Sequence, residues 1–296
     1  MNYYNEIKNK LIDNEIYERV KDYSKERNKV ITYFEIGKLL KEAGKHYGEG
    51  IIKEYAEKLV NEVGKKYNKR TLFRMRQFYE KFKDQKVSPV ETQLNWSHYK
   101  ELLPIKDTNE VIYYINQIIN RNLSKRGLQE IIKSKEYERL PESTKNKLIK
   151  KEETKVEDFV KNPIIIHNKN NYEDVSEKVL KRLILEDMDY FLKELGIGFS
   201  YISNEYKIKI GNRYNYIDLL LYNYKYKSFI VVELKVTEMK KEYLGQIQTY
   251  MNYIDKNIKD ITDNKTIGII IVKRENKFVI EYSSDDRIYE RHYIIN

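Results

Sequence analysis

The chain of 296 residues contains no cysteine. That excludes a disulfide framework and any Cys-based zinc site, and it fits a reducing compartment. No run approaches the roughly 18 to 20 apolar residues of a membrane span. The start, MNYYNEIKNKLIDNEIYERV, is amphipathic and has no apolar signal-type core. A cytoplasmic protein without membrane attachment is expected. Histidine is scarce, with four in all. His98 has no second ligand at metal-binding spacing and reads as a packing or hydrogen-bonding residue. There is no internal repeat, no extended low-complexity tract and no aromatic-rich RNA-binding motif.

What the chain does have is charge, at 34% of residues with a net of +10. Residues 1 to 150 hold 32 Lys and Arg against 22 Asp and Glu, whereas residues 151 to 296 hold 24 of each, so all the excess lies in the first half. Such asymmetry points to a polyanion at the N-terminal half, most simply nucleic acid, set against plain solubility in a Lys-rich chain. The length suffices for two domains, each with its own core. We expect a helical domain over 1–140, a charged linker over 141–172 and a second domain over 173–296.

The first half has apolar residues at helical spacing: Ile7, Leu11, Ile16 and Val20, then Ile31, Phe34, Ile36, Leu39 and Leu40, with a break near Asn28. Asn68 to Thr71 offers a capping site for a further helix, LFRMRQFYEKF, with Lys69, Arg70, Arg74 and Arg76 clustered at its entrance. A second, weaker instance follows, with Ser124 as cap and Lys125 and Arg126 in the first turn. Both are candidate DNA-contacting helices, though amphipathic helices with basic solvent faces are commonplace.

The second half is organised around Tyr214 to Thr237, YNYIDLLLYNYKYKSFIVVELKVT. Two apolar, β-branched and aromatic runs read as buried strands joined by a polar turn at Asn223 to Lys227. Each run carries charge where a strand interior normally has none: Asp218 in the first, Glu233 and Lys235 in the second. Residues two apart share a face, so Glu233 and Lys235 point together with Val231 while Ile230, Val232, Leu234 and Val236 fill the other face. A hairpin lays Asp218 beside Glu233. Two close carboxylates repel, and a hard divalent cation relieves that repulsion. The lysine adds a positive charge that can stabilise a phosphate in transit or help deprotonate water. This is a minimal set for metal-assisted phosphodiester hydrolysis. A lone ExK in so charged a chain means little, and an ion pair of Lys235 with an acid is the plain alternative.

Asp218 followed by Glu233-Leu234-Lys235 resembles the PD-(D/E)XK nuclease signature, with Ile217 where the family name has Pro. The strings FLKELGIGFSYI, YIDLLLYN, VVELK and EYLGQIQTYMNYID, with YFEIGKLL, RTLFRMRQFYEKF and QLNWSHYKELL in the first half, are similar to YhcG-type proteins of the DUF1016 group. The resemblance implies an all-α N-terminal domain and a restriction-endonuclease-like αβββαβ core with a mixed sheet. It also implies a Mg²⁺- or Mn²⁺-dependent nuclease acting on DNA, with Asp218, Glu233 and the Leu234 carbonyl at the metal, Lys235 at the water and phosphate, and Gln246 in support. The first core helix, 173–195, often adds a carboxylate in that superfamily; Glu194 is favoured over Glu186. Cutting both strands commonly needs two sites, hence a homodimer. No small-molecule cofactor is expected. The rival is a catalytically silent DNA-binding or assembly protein on the same fold. The runs KTIGIIIV and KFVIEYS are expected as the last strands.

Overall fold

The computed structural model describes residues 2–19, 25–84, 94–150, 152–281 and 285–296. Val20 and the 282–283 part of KFVIEYS lie outside them. The chain divides into two compact units, Met1–Tyr137 and Glu138–Asn296.

The first unit is all-α: α1 Tyr3–Arg19, α2 Lys25–Tyr47, α3 Ile51–Glu62, α4 Lys69–Phe82, α5 Trp96–Leu102, α6 Thr108–Arg121 and α7 Lys125–Lys133. Asn28 lies inside α2, so the break expected near it does not fall there. The caps match their residue types. Asn68 accepts from the Thr71 N–H and Ser124 from that of Gly127, each satisfying one orphan donor of a helix start. Leu72, Met75, Phe78 and Phe82 form the buried stripe of α4, and Phe78 packs edge-on or tilted against Phe34, Phe82, Trp96 and Tyr99. His98 is buried and accepts the Asn95 N–H at its Nδ1, a capping role of the hydrogen-bonding kind expected of it.

The second unit contains α8 Glu142–Lys150, β1 Ile164–Ile166, α9 Glu177–Glu186, α10 Met188–Leu195, β2 Phe199–Ile210, β3 Arg213–Asn223, β4 Ser228–Glu238, α11 Lys241–Asn257, β5 Ile267–Arg274, α12 Lys277–Glu281 and β6 Ile288–Ile295. Among the described residues the strands form one six-stranded sheet, in the order β1-β6-β5-β4-β3-β2. β2, β3 and β4 are antiparallel neighbours, and β4, β5, β6 and β1 run parallel, so the sheet is mixed. The parallel β4–β5 step needs a crossover, which α11 supplies.

Both sheet faces are covered. Leu219, Leu221, Ile230, Val232, Leu234, Ile269 and Ile271 pack with α9 and α10, while Leu220, Val231, Ile270 and Val272 pack with Ile247, Met251 and Ile254 of α11. The alternation expected along β4 holds, but the face that carries Glu233 is itself core around Val231. Three elements depart from expectation. The helix over 173–195 is two helices broken at Asp187, whose φ and ψ of −134° and 49° are not helical. KFVIEYS yields the short α12, and the last strand is β6. The stretch expected to link the domains, 141–172, supplies α8 and β1 and buries Val156, Val160, Ile164 and Ile166 in the core, because its few apolar residues are concentrated where β1 pairs with β6.

Candidate active site

β3 and β4 pair only from Leu219↔Val232 to Asn223↔Ser228. Beyond that point β4 stays with β5 while β3 continues with β2 alone. Asp218 is the first residue past the end of the shared ladder. The β2–β3 register shifts between Tyr201 and Ser203, and the ladder then passes from Asn204↔Leu219 to Tyr206↔Ile217 over Glu205, whose φ is 48°, and Asp218. Ile217 and Leu220, three apart, both join the α11-side core, so alternation is broken around Asp218. In place of a ladder bond, the Asp218 Oδ2 accepts the Leu234 N–H at 3.0 Å. The divergence thus opens a notch whose walls carry the acids.

Glu233 lies in the notch with its side chain 2% exposed. Its Oε2 accepts from Lys235 Nζ at 3.4 Å and from Gln246 Nε2 at 3.2 Å, and the same Gln246 nitrogen is 3.1 Å from Tyr250 OH. Gln246 and Tyr250 share a face of α11 at i, i+4 spacing. The Glu233 Oε1 is buried without a hydrogen-bond partner. Burial, followed by the nearby negative charge of Asp218, pushes the Glu233 carboxyl up from 4.5 to about 7, against the pull of Lys235 and the Asp218 backbone N–H. The two acids therefore feel one another. For Lys235, burial works to lower the pKa and is outweighed by Glu233, Glu177 and Asp218, leaving it raised. Its Nζ also lies 5.4 Å from the centre of the Tyr243 ring.

Two residues on α9 complete the surroundings. Lys181 Nζ is 2.8 Å from Asp218 Oδ1 and 3.2 Å from Glu205 Oε1. Glu177, one turn earlier and exposed, is near enough to help hold the Lys235 proton. Sequence reasoning missed both. An i, i+4 Glu–Lys pair on the polar side of an amphipathic helix looks like any solvated pair until the sheet beneath it is known.

Glu194 lies elsewhere. It is buried beneath α10, where it receives Arg139 Nη2 at 3.1 Å and the Ile165 N–H at 2.9 Å, with Lys161 Nζ at 3.6 Å. Its carboxylate ties α10 to β1, which corrects the expectation that it joins Asp218. Glu186 accepts from Asn170 Nδ2 and Tyr172 OH. In the first unit, Lys69, Arg70, Lys125 and Arg126 are exposed and Arg74 half-buried. Arg76 pairs with Glu49 and Lys125 with Glu101 at 3.4 Å. Lys100 is held below its ordinary value by burial and then by Lys125 and Arg74, so the two basic stretches come near one lysine.

Two family models match this chain: the YhcG PDDEXK nuclease domain over residues 157–292 and the DUF1016 N-terminal domain over residues 10–139. The chain belongs to the YhcG/DUF1016 family. It is similar to the protein of Escherichia coli (strain K12) named "Putative nuclease YhcG", at 23% identity over 193 residues, covering 63% of this chain and 52% of that protein. The chain thus spans about half the length of this curated relative. Among solved structures, a repair endonuclease from Pyrococcus abyssi matches at 18% identity and a TM-score of 0.30, over 41% of this chain and 48% of that one. The structure of an EndoMS–dsDNA2 complex matches at 18% identity and a TM-score of 0.29, over 43% and 48%. At those scores neither carries an argument. Asp218, Glu233 and Lys235, the residues that carry the resemblance in the sequence, lie within the matched range 157–292 and meet in one notch.

Proposed function

We propose that this YhcG-type chain is a Mg²⁺- or Mn²⁺-dependent nuclease that hydrolyses DNA phosphodiester bonds in the notch between β3 and β4. The observation that carries the reading is a carboxylate, Glu233, kept buried beside a second, Asp218, with one of its oxygens unpartnered. Burying such a charge without compensation is costly. The donors fit a hard divalent cation: Asp218, Glu233 and the Leu234 carbonyl are all oxygens. Among the described residues no group of three or more His, Cys, Asp or Glu is gathered for a metal, so water would fill the remaining positions, as Mg²⁺ favours. When bound, the cation supplies Lewis acidity and a more acidic water.

The chain's own residues do the rest. The Leu234 N–H fixes Asp218 Oδ2, and Gln246 Nε2 fixes Glu233 Oε2. Lys235, held beside Glu233, offers its positive charge to the phosphate oxygens and to an attacking water. The exposed Lys69, Arg70 and Arg126, with Arg74, Arg76 and Lys125, support DNA engagement by the first unit. A homodimer and a cytoplasmic setting belong to the same proposal.

Cleavage of branched, linear and nicked DNA in Mg²⁺, Mn²⁺ and EDTA tests it. Cutting is expected only with metal, and Asp218→Ala or Lys235→Ala should each remove it by a factor of at least about 100. Metal-dependent cutting that survives either substitution refutes the assignment. A second reading, a catalytically silent DNA-binding or assembly protein, is favoured by one observation: each acid already has a lysine, Lys181 on Asp218 and Lys235 on Glu233. DNA binding in EDTA without cutting in either metal, across all three substrates, would support it.

A further inference from the structure

Past the last β3–β4 pair, β2 and β3 continue alone as a two-stranded ribbon, with Tyr206↔Ile217, Lys207↔Tyr216, Ile208↔Asn215, Lys209↔Tyr214 and Ile210↔Arg213 in register. The β3 side of the ribbon, Arg213 to Asp218, is about 20 Å long and begins at the proposed metal ligand. One face is held down, because Ile208 and Ile217 are buried in the α11-side core. Register puts Lys207, Lys209, Tyr214 and Tyr216 together on the other face. There the tyrosines are 56% and 53% exposed, and Lys207 Nζ lies 3.9 Å from the centre of the Tyr214 ring.

From residue 206 to residue 217 the ribbon carries three cations and no acid. Among the described residues, Lys207, Lys209 and Arg213 have no carboxylate partner, whereas Lys181, Lys125 and Arg76 are all paired. Unpaired cations interleaved with exposed rings beside a hydrolytic notch suit a polyphosphate backbone, and a two-stranded ribbon fits the major groove of a duplex. We propose that the β2–β3 ribbon is a duplex-DNA docking surface, with Lys207 and Lys209 on its open face and Arg213, exposed beside the turn at its tip, neutralising phosphates, and Tyr214 and Tyr216 packing against the backbone sugars, so that the scissile bond is delivered to Asp218. This deepens the nuclease reading and rests on it for the delivery step.

The test measures binding of a fluorescent 24-base-pair duplex (about 80 Å, the six residues Arg213 to Asp218 of the ribbon being about a quarter of that) to the full chain in EDTA, over a salt series. The variant Lys207→Ala/Lys209→Ala/Arg213→Ala is compared with Lys227→Ala/Lys256→Ala/Lys265→Ala, an equal charge change elsewhere on the same unit. We expect about a tenfold or greater loss of affinity for the ribbon variant alone, with the slope of log K against log salt shallower by about 2 to 3. Lys207→Arg/Lys209→Arg should keep wild-type binding, which separates charge from folding. Equal losses in both triple variants, an unchanged slope, or no duplex binding by the wild type overturn the proposal. Cutting in Mg²⁺ is read separately. A ribbon variant that loses binding while no form of the chain cuts leaves the docking surface standing and removes the nuclease reading; cutting with an unaffected slope does the reverse.

Discussion

Glu233 is an acid in a position that disfavours acids, and the cost can be read as pH dependence. Its carboxyl ordinarily titrates at 4.5 and here, through burial and then Asp218, at about 7. The folded chain therefore holds this proton more tightly than the unfolded chain. The contribution to stability is full below pH 4.5 and is lost as pH rises through about 7, a span worth roughly 3 kcal/mol. Without metal, Glu233→Gln should raise the melting temperature at pH 8 and flatten the pH dependence between 4.5 and 7. Added Mg²⁺ should stabilise the wild type at pH 8 but not this variant. A melting temperature at pH 8 that is unchanged or lower in Glu233→Gln would contradict the burial argument. Gln246 calls for a different expectation. It touches Glu233 only through one N–H, so Gln246→Ala should slow cleavage about tenfold at saturating substrate while shifting stability by about 1 kcal/mol or less, read by single-turnover kinetics and thermal melting.

At the scale of elements, how closely the parts approach one another is what counts. Gly268 sits in the central strand β5 beneath α11, where an added Cβ would lie 2.6 Å from Met251 Sδ and 2.9 Å from Ile247 Cδ1. Gly268→Ala should cost about 1–3 kcal/mol by chemical denaturation, as an overpacked core does. Arg139 and Glu194 join the chain before β1 to α10. Arg139→Ala leaves the Glu194 charge buried with weaker company and should cost about 3–5 kcal/mol. Loss of activity in Arg139→Ala should accordingly track unfolding, not chemistry. The strands with near-continuous apolar runs, β3, β4 and β5, were legible in the sequence, as was α11. KFVIEYS was not: seven residues of mixed apolar and charged character are equally consistent with strand and helix, and neighbours decide.

For the whole molecule, the two units invite a test of where the second begins. The sequence suggested residue 173, because the charge of 141–172 hides its few apolar residues. The structure starts the unit at Glu138 and gives Val156, Val160, Ile164 and Ile166 to its core. A fragment of residues 138–296 should melt cooperatively, and one of residues 173–296, lacking β1 and Arg139, should not; circular dichroism melts decide it. Identical cooperative melts would show that β1 is dispensable.

The sequence by itself determined the kinds of elements, the helix caps, and the presence of Asp218, Glu233 and Lys235 in strands too apolar to bear charge idly, since these depend on local periodicity and on residue chemistry. Only the tertiary structure decided that β3 leaves β4 at Asp218, that Glu194 serves a buried ion pair, and that Lys181 and Glu177 face the notch. Those are matters of which distant segments meet, and a polar side chain on an amphipathic helix carries no local mark of the partner it will find.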